Sequence, residues 1–238
     1  MKLIEKIKCP ICFSKNFTVL RRNRYRKKLN KKFIEKIYLS SSDISIVDQL
    51  VKCKKCELVY LNPRINTKLV VKSYKENRDH TFIKYNSSRE RTFYNNTLKF
   101  LKTIKINNFK NKSVLDIGCG GGTFLKIVKK LGGVPYGIEP SKWLTKYIKK
   151  NYKFKVYPKT IEEFNLKKKF DIVSLWDVLE HVNDLNKSIK LINTKLKDNG
   201  FLIVNVPDYG SWQRKIFNYK WPFYLNVHLY YFDKKSIK

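Results

Sequence analysis

The sequence predicts an α/β fold in which a doubly wound parallel sheet follows a small N-terminal domain. Short apolar runs, which begin near residues 113, 134, 153, 170 and 201, alternate with helical stretches, as in βαβ units. The first run ends at Asp116 and leads into a glycine-rich bend over residues 118–122. Two Cys-x-x-Cys pairs precede residue 57 and indicate a separate module.

The composition sets the broad class of the protein. Of the 238 residues, 42% are hydrophobic and 14% are aromatic, which excludes a disordered chain. No apolar run approaches the ~18 residues of a membrane helix. The first ten residues also lack the apolar stretch of a secretory signal, so we expect a cytoplasmic protein with no membrane partner.

The formal net charge of +33 has two explanations. Taken alone, it indicates binding to nucleic acid or to an anionic surface. However, the chain contains no alanine and far more lysine than arginine, which a coding bias toward A and T also produces. We favour the compositional explanation and keep a nucleic-acid partner as the alternative. The oligomeric state is not predicted.

The N-terminal module is predicted to bind zinc. Cys9, Cys12, Cys53 and Cys56 can supply the four thiolates of a structural zinc site, although 40 residues separate the two pairs. A disulfide framework is disfavoured because nothing directs the chain out of a reducing compartment. We therefore predict a zinc-ribbon-like domain over residues 1–62, which ends at Asn62-Pro63. Residues 63–110 are predicted to form a helical linker or lid.

The sheet domain is predicted over residues 111–238. Its expected strands span residues 113–116, 134–138, 153–157, 170–175 and 201–206, with a turn at residues 197–200 before the last one. A helix is expected over residues 123–131, and Ser141 is a plausible N-cap of the next one. No candidates remain for strands six and seven. We therefore expect an incomplete sheet with the fifth strand as its edge, in a fragment or a naturally shortened protein.

The glycine-rich bend does not fit the dinucleotide fingerprint. That fingerprint needs glycines at positions one, three and six, but the sixth position is Thr123 when counted from Gly118 and Leu125 when counted from Gly120. The bend instead follows the acidic Asp116, which suits a ligand carrying an ammonium group. Glu139 follows the second strand, where a carboxylate suits the hydroxyls of a ribose. The alternative is a glycine-rich turn without a ligand.

These residues, together with the run from Trp176 to Val182, resemble the class I S-adenosylmethionine-dependent methyltransferases. The likeness is to the small-molecule branch that includes the ubiquinone-pathway O-methyltransferases. It implies a Rossmann-like sheet and S-adenosylmethionine as the cofactor. The cofactor-binding positions that it implies are Asp116, Gly118, Gly120, Glu139, Ile161, Glu162 and Trp176.

The resemblance assigns roles to three of these positions, and each has a structural alternative. Ile161 and Glu162 would approach the adenine, and Trp176 would shield the sulfonium from water. Core packing is the alternative for Trp176, and a carboxylate at a helix start is the alternative for Glu162. The four-cysteine module followed by Asn62-Pro63 is similar to that of sugar-modifying methyltransferases.

Histidine is the expected proton acceptor, because an oxygen or carbon acceptor needs a base near neutral pH. The chain has three histidines. We predict that His181 or His228 is the general base, since both follow strands whose ends border the predicted crevice, whereas His80 stands in the linker without a motif. A capping or packing role is the alternative for both.

The predicted activity is methyl transfer from S-adenosylmethionine to a small-molecule acceptor. A sugar or a related intermediate of surface-polysaccharide or secondary metabolism is the expected acceptor. O-methylation is favoured, because Leu225 to His228 lacks the tyrosine and glutamate of the Tyr-x-Glu-His run typical of sugar C-methyltransferases. The alternatives are an RNA methyltransferase with a zinc module and a non-catalytic zinc-ribbon binding protein.

Overall fold

The computed structural model describes residues 2–25, 29, 30, 34, 44–76, 83 and 86–238. The chain divides into two compact units, each built from separate stretches of sequence. Unit 1 comprises Met1–Tyr74, Leu179–Asn186 and Val206–Lys238, and unit 2 comprises Lys75–Val178 and Lys187–Asn205. His80 lies outside the described residues.

The secondary structure begins with short strands and continues with alternating strands and helices. In the first part of the chain these are β1 (Ile4–Glu5), β2 (Phe17–Arg21), β3 (Leu50–Cys53), β4 (Val59–Leu61), β5 (Arg64–Ile65), α1 (Thr67–Glu76) and α2 (Asn86–Thr103). Then follow β6 (Ser113–Ile117), α3 (Thr123–Lys130), β7 (Val134–Ile138), α4 (Lys142–Tyr152), β8 (Lys155–Tyr157) and β9 (Phe170–Trp176). The last elements are α5 (Leu185–Lys195), β10 (Leu196–Asn205), α6 (Trp212–Phe217) and β11 (Tyr230–Tyr231).

Unit 2 contains the predicted parallel sheet. Its five strands lie in the order β10-β9-β6-β7-β8, and every neighbouring pair is parallel. The central strands β6 and β9 are almost fully buried, which explains their continuous apolar sequences. The α/β fold class of the prediction is thus confirmed. Ser141 caps α4 as expected, because its hydroxyl oxygen accepts a hydrogen bond from the Leu144 N–H.

One local prediction in unit 2 is wrong. Residues 197–200 were expected to form a turn before the fifth strand, but β10 already begins at Leu196 and passes through them. Leu196 pairs with Phe170 and Phe201 pairs with Ile172, so five residue steps on β10 oppose two on β9. The turn-forming residues therefore bulge out of a continuous strand instead of ending a connection.

A buried aromatic and aliphatic cluster packs the helices of unit 2 against its sheet. Phe124 of α3 and Phe109 meet edge to face, with ring centroids 6.4 Å apart. The fully or nearly fully buried members of this cluster are Phe93, Leu101, Phe109, Val114, Phe124, Ile127, Val128, Ile172, Trp176 and Ile203. They come from α2, α3, three strands and, for Phe109, the segment between α2 and β6, so the sheet that presents the glycine-rich bend rests on a packed layer.

Unit 1 joins the cysteine module to the end of the chain. Its larger sheet has the order β11-β4-β3-β2, and β11 pairs antiparallel with β4 through Tyr230–Tyr60 and Tyr231–Val59. Residues 206–238 therefore belong to the same compact unit as the four cysteines. The domain bounds expected at residues 62 and 110 stay a prediction, since the compact units divide the chain at other points.

Candidate functional site

The glycine-rich bend of unit 2 is held against the end of β7. The backbone N–H groups of Gly118 and Cys119 both donate to the Ile138 carbonyl oxygen, at 2.8 and 3.1 Å. Gly118 has φ +69°, and a Cβ atom there would lie 2.6 Å from Cγ2 of Val178. A side chain at this position would be strained both by its backbone conformation and by overlap. Glycine is therefore required at this position of the bend.

Glu139, which was predicted to bind a ribose, also holds the glycine-rich bend. Its Oε2 accepts a hydrogen bond from the Gly120 N–H at 3.0 Å, and its Oε1 accepts one from the Ser141 N–H at 2.9 Å. A carboxylate oxygen can accept more than one hydrogen bond, which is the chemistry that ribose hydroxyls require. The structure thus brings Glu139, Gly118 and Gly120 together at one edge of the sheet.

Asp116 is a buried carboxyl group next to this bend, with 3% of its surface exposed. Its register partner on β9 is Ser174, whose hydroxyl donates to Asp116 Oδ1 at 2.7 Å. The pKa of Asp116 is raised to about 8. Burial is the main cause, the nearby charge of Glu139 adds to it, and the Ser174 hydrogen bond partly opposes them. A cationic ligand would reverse this shift, because an opposite charge favours the ionised carboxylate.

The loop after β8 places the two predicted adenine contacts differently. Ile161 is buried and starts a single 3₁₀ turn over Ile161–Glu163. Glu162 is exposed, and its Oε1 accepts a hydrogen bond from the Ser188 hydroxyl of α5 at 3.0 Å. Glu162 and Glu163 both lie in the first turn, and Glu163 Oε2 accepts a hydrogen bond from the Thr160 N–H at 3.1 Å. The adenine contacts stay a prediction.

Trp176 packs in the core of unit 2, as the core-packing alternative for this residue predicts. Its ring stacks on Phe93 with centroids 4.5 Å apart and packs at a tilt on Phe124 at 5.0 Å. Its buried Nε1–H has no hydrogen-bond partner among the described residues. The ring therefore closes the apolar layer behind the carboxyl end of β9, and its predicted contact with the cofactor stays a prediction.

A third carboxyl group, that of Asp177, lies at the carboxyl end of β9. The residue directly follows β9 and adopts φ 56°, a left-handed conformation that is uncommon for a residue with a side chain. Asn205 holds Asp177 through both backbone and side chain. The Asp177 N–H donates to the Asn205 carbonyl oxygen, and Asn205 Nδ2 donates to Asp177 Oδ1 at 2.6 Å. Burial raises the pKa of the Asp177 carboxyl group. Strained residues of this kind concentrate at functional sites.

Unit 1 brings the two predicted catalytic histidines together. The rings of His181 and His228 meet edge to face, with centroids 4.8 Å apart. His181 Nδ1 lies 2.9 Å from the Val227 carbonyl oxygen, and His228 Nδ1 lies 3.0 Å from that of Phe223. Because a carbonyl oxygen only accepts, the Nδ1 of each ring donates this hydrogen bond.

The histidine pair forms a compact group with a buried carboxylate. A carboxylate oxygen of Glu180 and one ring nitrogen from each histidine all lie within 4.8 Å of one another. Burial and the neighbouring His181 lower the pKa of His228, so its ring is neutral near pH 7. Neutral imidazoles next to a carboxylate can accept a proton or bind a divalent cation.

The four cysteines of unit 1 converge on one point. Their Sγ atoms all lie within 4.8 Å of one another, and the Cys9–Cys56 and Cys12–Cys53 pairs are 3.4 Å apart. A tetrahedron with Zn–S bonds of ~2.3 Å places its sulfur atoms about 3.8 Å apart. The set therefore has the donor chemistry and the approximate spacing of a structural zinc site.

The pKa of the Cys53 thiol is lowered, so this thiol ionises more easily than an ordinary cysteine. Burial acts to raise the pKa of Cys53, but hydrogen bonds from the backbone N–H groups of Cys56 and Lys55 and from the neighbouring thiols outweigh it. The resulting pKa is about 7. Metal binding requires the ionised thiolate, so this local backbone favours a metal ligand at Cys53.

Comparison with known proteins settles the family. A family model described as a methyltransferase domain matches residues 85–238, which is more than half of the chain. The chain belongs to this methyltransferase family. The predicted class, an S-adenosylmethionine-dependent methyltransferase, is thus confirmed at the level of the family. The match begins after the four cysteines, so the zinc ribbon stays a prediction.

The methyltransferase is similar to several curated proteins over part of their length. A ubiquinone biosynthesis O-methyltransferase from Pelagibacter ubique (strain HTCC1062) is 35% identical over 126 residues, covering 50% of this chain and 52% of that protein. One of the same name from Bradyrhizobium diazoefficiens is 33% identical over 113 residues, covering 45% of each. The chain thus spans about half the length of these relatives.

A solved structure supports the fold of the methyltransferase. The S-adenosylmethionine-dependent methyltransferase from Archaeoglobus fulgidus superposes with a TM-score of 0.53 and 22% sequence identity. The likeness covers 67% of this chain and 71% of that one. Among the described helices, none has the length and apolar character that crossing a bilayer requires.

Proposed function

We propose that the protein transfers a methyl group from S-adenosylmethionine to an oxygen atom of a small-molecule acceptor. The observation that carries this proposal is the pair of carboxyl groups, Asp116 and Glu139, at the ends of adjacent parallel strands beside a glycine-rich bend. In open α/β sheets, ligands bind at the carboxyl ends of such strands. The names of the curated relatives support oxygen as the acceptor atom.

The chain's own residues would bind and orient the cofactor. Asp116 would pair with its ammonium group, Glu139 would accept hydrogen bonds from the ribose hydroxyls, and the backbone of the bend would lie along the amino-acid portion. S-adenosylmethionine, when bound, supplies a methyl group attached to positively charged sulfur. The protein's remaining task is to position the acceptor and remove its proton.

We assign proton removal to the histidine pair. Burial holds His228 neutral, and its Nδ1 donates to the Phe223 carbonyl oxygen, so its Nε2 can accept a proton. The His181 ring is oriented by a hydrogen bond from its Nδ1 to the Val227 carbonyl oxygen. A neutral imidazole can accept the proton of a hydroxyl acceptor near pH 7, although the burial that keeps His228 neutral also makes it a weaker base. A sugar or a related intermediate remains our proposed acceptor class, and an RNA acceptor is the second candidate.

The cysteine centre is proposed to hold a structural zinc ion. Cys9, Cys12, Cys53 and Cys56 would be its four ligands, and two of them lie at the end of β3 and in the turn before β4. A closed four-thiolate set leaves no position for substrate, so the metal would stabilise unit 1 and take no part in the chemistry.

Calorimetric titration with S-adenosylmethionine tests the cofactor site. Asp116→Ala and Glu139→Ala should each weaken binding by about ten- to a hundredfold, because each removes a charged hydrogen-bonding partner. Asp198→Ala is the matched control, since Asp198 is an exposed carboxylate that pairs with the exposed Lys169. Equal affinity in all three variants would refute the site.

A second experiment tests the proton acceptor separately from cofactor binding. The double variant His181→Gln/His228→Gln should bind S-adenosylmethionine normally but transfer no labelled methyl group to a panel of phenolic and sugar hydroxyl acceptors. The wild-type chain is the reference for both measurements. Full transfer by the double variant would remove the histidines from the mechanism, and labelling of RNA alone would favour the second candidate.

A further inference from the structure

An exposed segment near the end of unit 1 carries apolar side chains that the proposed reaction does not use. We call residues 211–223, which contain α6 and the 3₁₀ turn Asn218–Lys220, the aromatic arm. Trp212 and Ile216 are 65% and 69% exposed. The large exposed hydrophobic side chains of the arm are Trp212, Ile216, Phe217, Tyr219 and Phe223. Soluble monomers seldom expose so many large apolar side chains in one short stretch, unless the surface binds something.

The arm is anchored at both ends, so its exposed side chains are held in place. Ser211 caps α6 by accepting from the Arg214 N–H at 3.3 Å. The Arg214 guanidinium lies 4.4 Å from the centre of the Tyr209 ring, and its Nε donates to the Tyr209 carbonyl oxygen at 2.8 Å. At the other end, Trp221 and Tyr224 are buried in a cluster of aromatic rings that includes Tyr209.

The charges on the arm have one sign. Residues 211–232 contain no aspartate or glutamate, while Arg214, Lys215 and Lys220 are positive. On α6, the apolar Trp212, Ile216 and Phe217 occupy one arc of the helix, and Arg214 and Lys215 occupy the opposite one. Aromatic and aliphatic side chains beside lysine and arginine are typical of segments that lie in the interface of an anionic membrane.

We propose that the aromatic arm docks the protein onto the surface of a bilayer that contains anionic phospholipid. The apolar side chains would enter the boundary between headgroups and acyl chains, and Lys215 and Lys220 would contact the lipid phosphates. This proposal replaces the expectation of no membrane partner, which was argued from the missing spanning segment alone. It is independent of the acceptor and of the proposed function.

Charge and chemistry favour this occupant over two others. A second copy of the chain would also carry a net charge of +33, so the facing surfaces would repel each other. RNA would suit the aromatic rings and the lysines, but Ile216 offers nothing to a base or a phosphate and is the most exposed large hydrophobic side chain. A lipid interface uses all three kinds of side chain at once.

Vesicle sedimentation with the full chain tests the proposal. Wild-type protein should bind phosphatidylcholine vesicles containing phosphatidylglycerol and should bind pure phosphatidylcholine vesicles much more weakly. The variant Trp212→Ser/Ile216→Ser/Phe217→Ser should bind the anionic vesicles about tenfold or more weakly. Val134→Ser is the matched control, because Val134 is an exposed apolar residue of unit 2; it should bind as the wild type does.

The many lysines elsewhere require a charge control. Lys215→Glu/Lys220→Glu should weaken binding more than Lys129→Glu/Lys150→Glu, although both variants change the net charge by the same amount and all four lysines are exposed. Equal losses in the two variants would indicate unspecific attraction and would overturn the proposal.

Fluorescence provides a readout that does not depend on the amount bound. Brominated lipids should quench the tryptophan emission of the wild type, and most of that quenching should disappear in Trp212→Phe. Quenching that is unchanged in Trp212→Phe would overturn the proposal. Three results for the triple variant would also overturn the proposal. These are undiminished binding to anionic vesicles, a changed solution mass in light scattering, and a loss of RNA binding without a loss of vesicle binding.

Discussion

At the scale of single residues, Asp116 is the most informative group of the candidate site. Its carboxyl group is buried, has one hydroxyl donor, and has a pKa of about 8. At pH 7 it is therefore mostly protonated in the free protein. A bound ammonium group requires its ionised form, so ligand binding and proton release are coupled at this residue.

The first prediction follows from this coupling. At pH 7, binding of S-adenosylmethionine should release close to one proton from the wild-type protein and almost none from Asp116→Asn. Calorimetry in buffers of different ionisation enthalpy measures the number of released protons directly. Asp198→Asn serves as the control and should match the wild type. An Asp116→Asn variant that releases as many protons as the wild type would show that another group titrates.

The same residue predicts how stability changes with pH. The folded pKa of Asp116 is above its ordinary value of 3.8, so the folded state holds a proton that the unfolded state releases. This contribution to stability is therefore lost as the pH rises from about 4 through 8. Asp116→Asn should flatten that part of the curve of unfolding free energy against pH, and a curve parallel to the wild type would contradict the assignment.

At the scale of elements, the bend between β6 and α3 depends on Gly118. Alanine there would adopt φ +69° and would also overlap Val178, so we expect Gly118→Ala to lower the free energy of unfolding by about 2–4 kcal/mol. Gly132→Ala is a close control, because φ is +81° but the nearest atom is 3.6 Å away. Denaturant unfolding should show a clearly smaller loss for Gly132→Ala. Equal losses would mean that the overlap with Val178 is relieved.

We expect a zinc ion held by the four cysteines to stabilise the strands around it. Metal analysis should find about one zinc ion per chain, and a chelator or Cys53→Ser should remove it and lower the melting temperature. Cys119→Ser is the control, because Cys119 is a buried thiol of unit 2 and lies outside the four-cysteine group. Zinc content that is unchanged in Cys53→Ser would contradict this prediction.

Local sequence predicted the strands of unit 2 better than its site contacts. Strand β7 was expected over residues 134–138 and forms there, because a buried parallel strand is a short apolar run with clear ends. The bracing of Asp177 by Asn205 was not predicted, because it joins the ends of two strands that are paired only in the folded sheet. Glu139 was assigned to a ribose, but its hold on the bend depends on backbone geometry that a sequence does not display.

At the scale of the whole molecule, the net charge of +33 should oppose the compact state. We predict that raising the salt concentration from about 20 to 500 mM NaCl increases the melting temperature by several degrees, because ions screen the repulsion among lysines. A differential scanning experiment with NaCl and then with a neutral osmolyte at equal osmolarity measures this. A similar increase with both solutes would show that charge screening is not the cause.

The sequence could not predict which segments share a unit. Residues 206–238 were assigned to the sheet domain because they follow its last strand. In the structure they join the cysteine module, since β11 pairs with β4 across some 170 residues. The pairing of His181 with His228 has the same origin, because both segments belong to unit 1. Long-range contacts of this kind leave no periodic pattern in either segment.

The assembly of unit 1 from three distant stretches has a consequence for biosynthesis. The cysteines leave the ribosome early, but β11, which completes their sheet, is synthesised only after every strand of unit 2. The nascent chain must therefore carry an exposed edge at β4 during most of translation. Early capture of a metal ion would protect this half-finished module from pairing with other chains while it waits for its last strand.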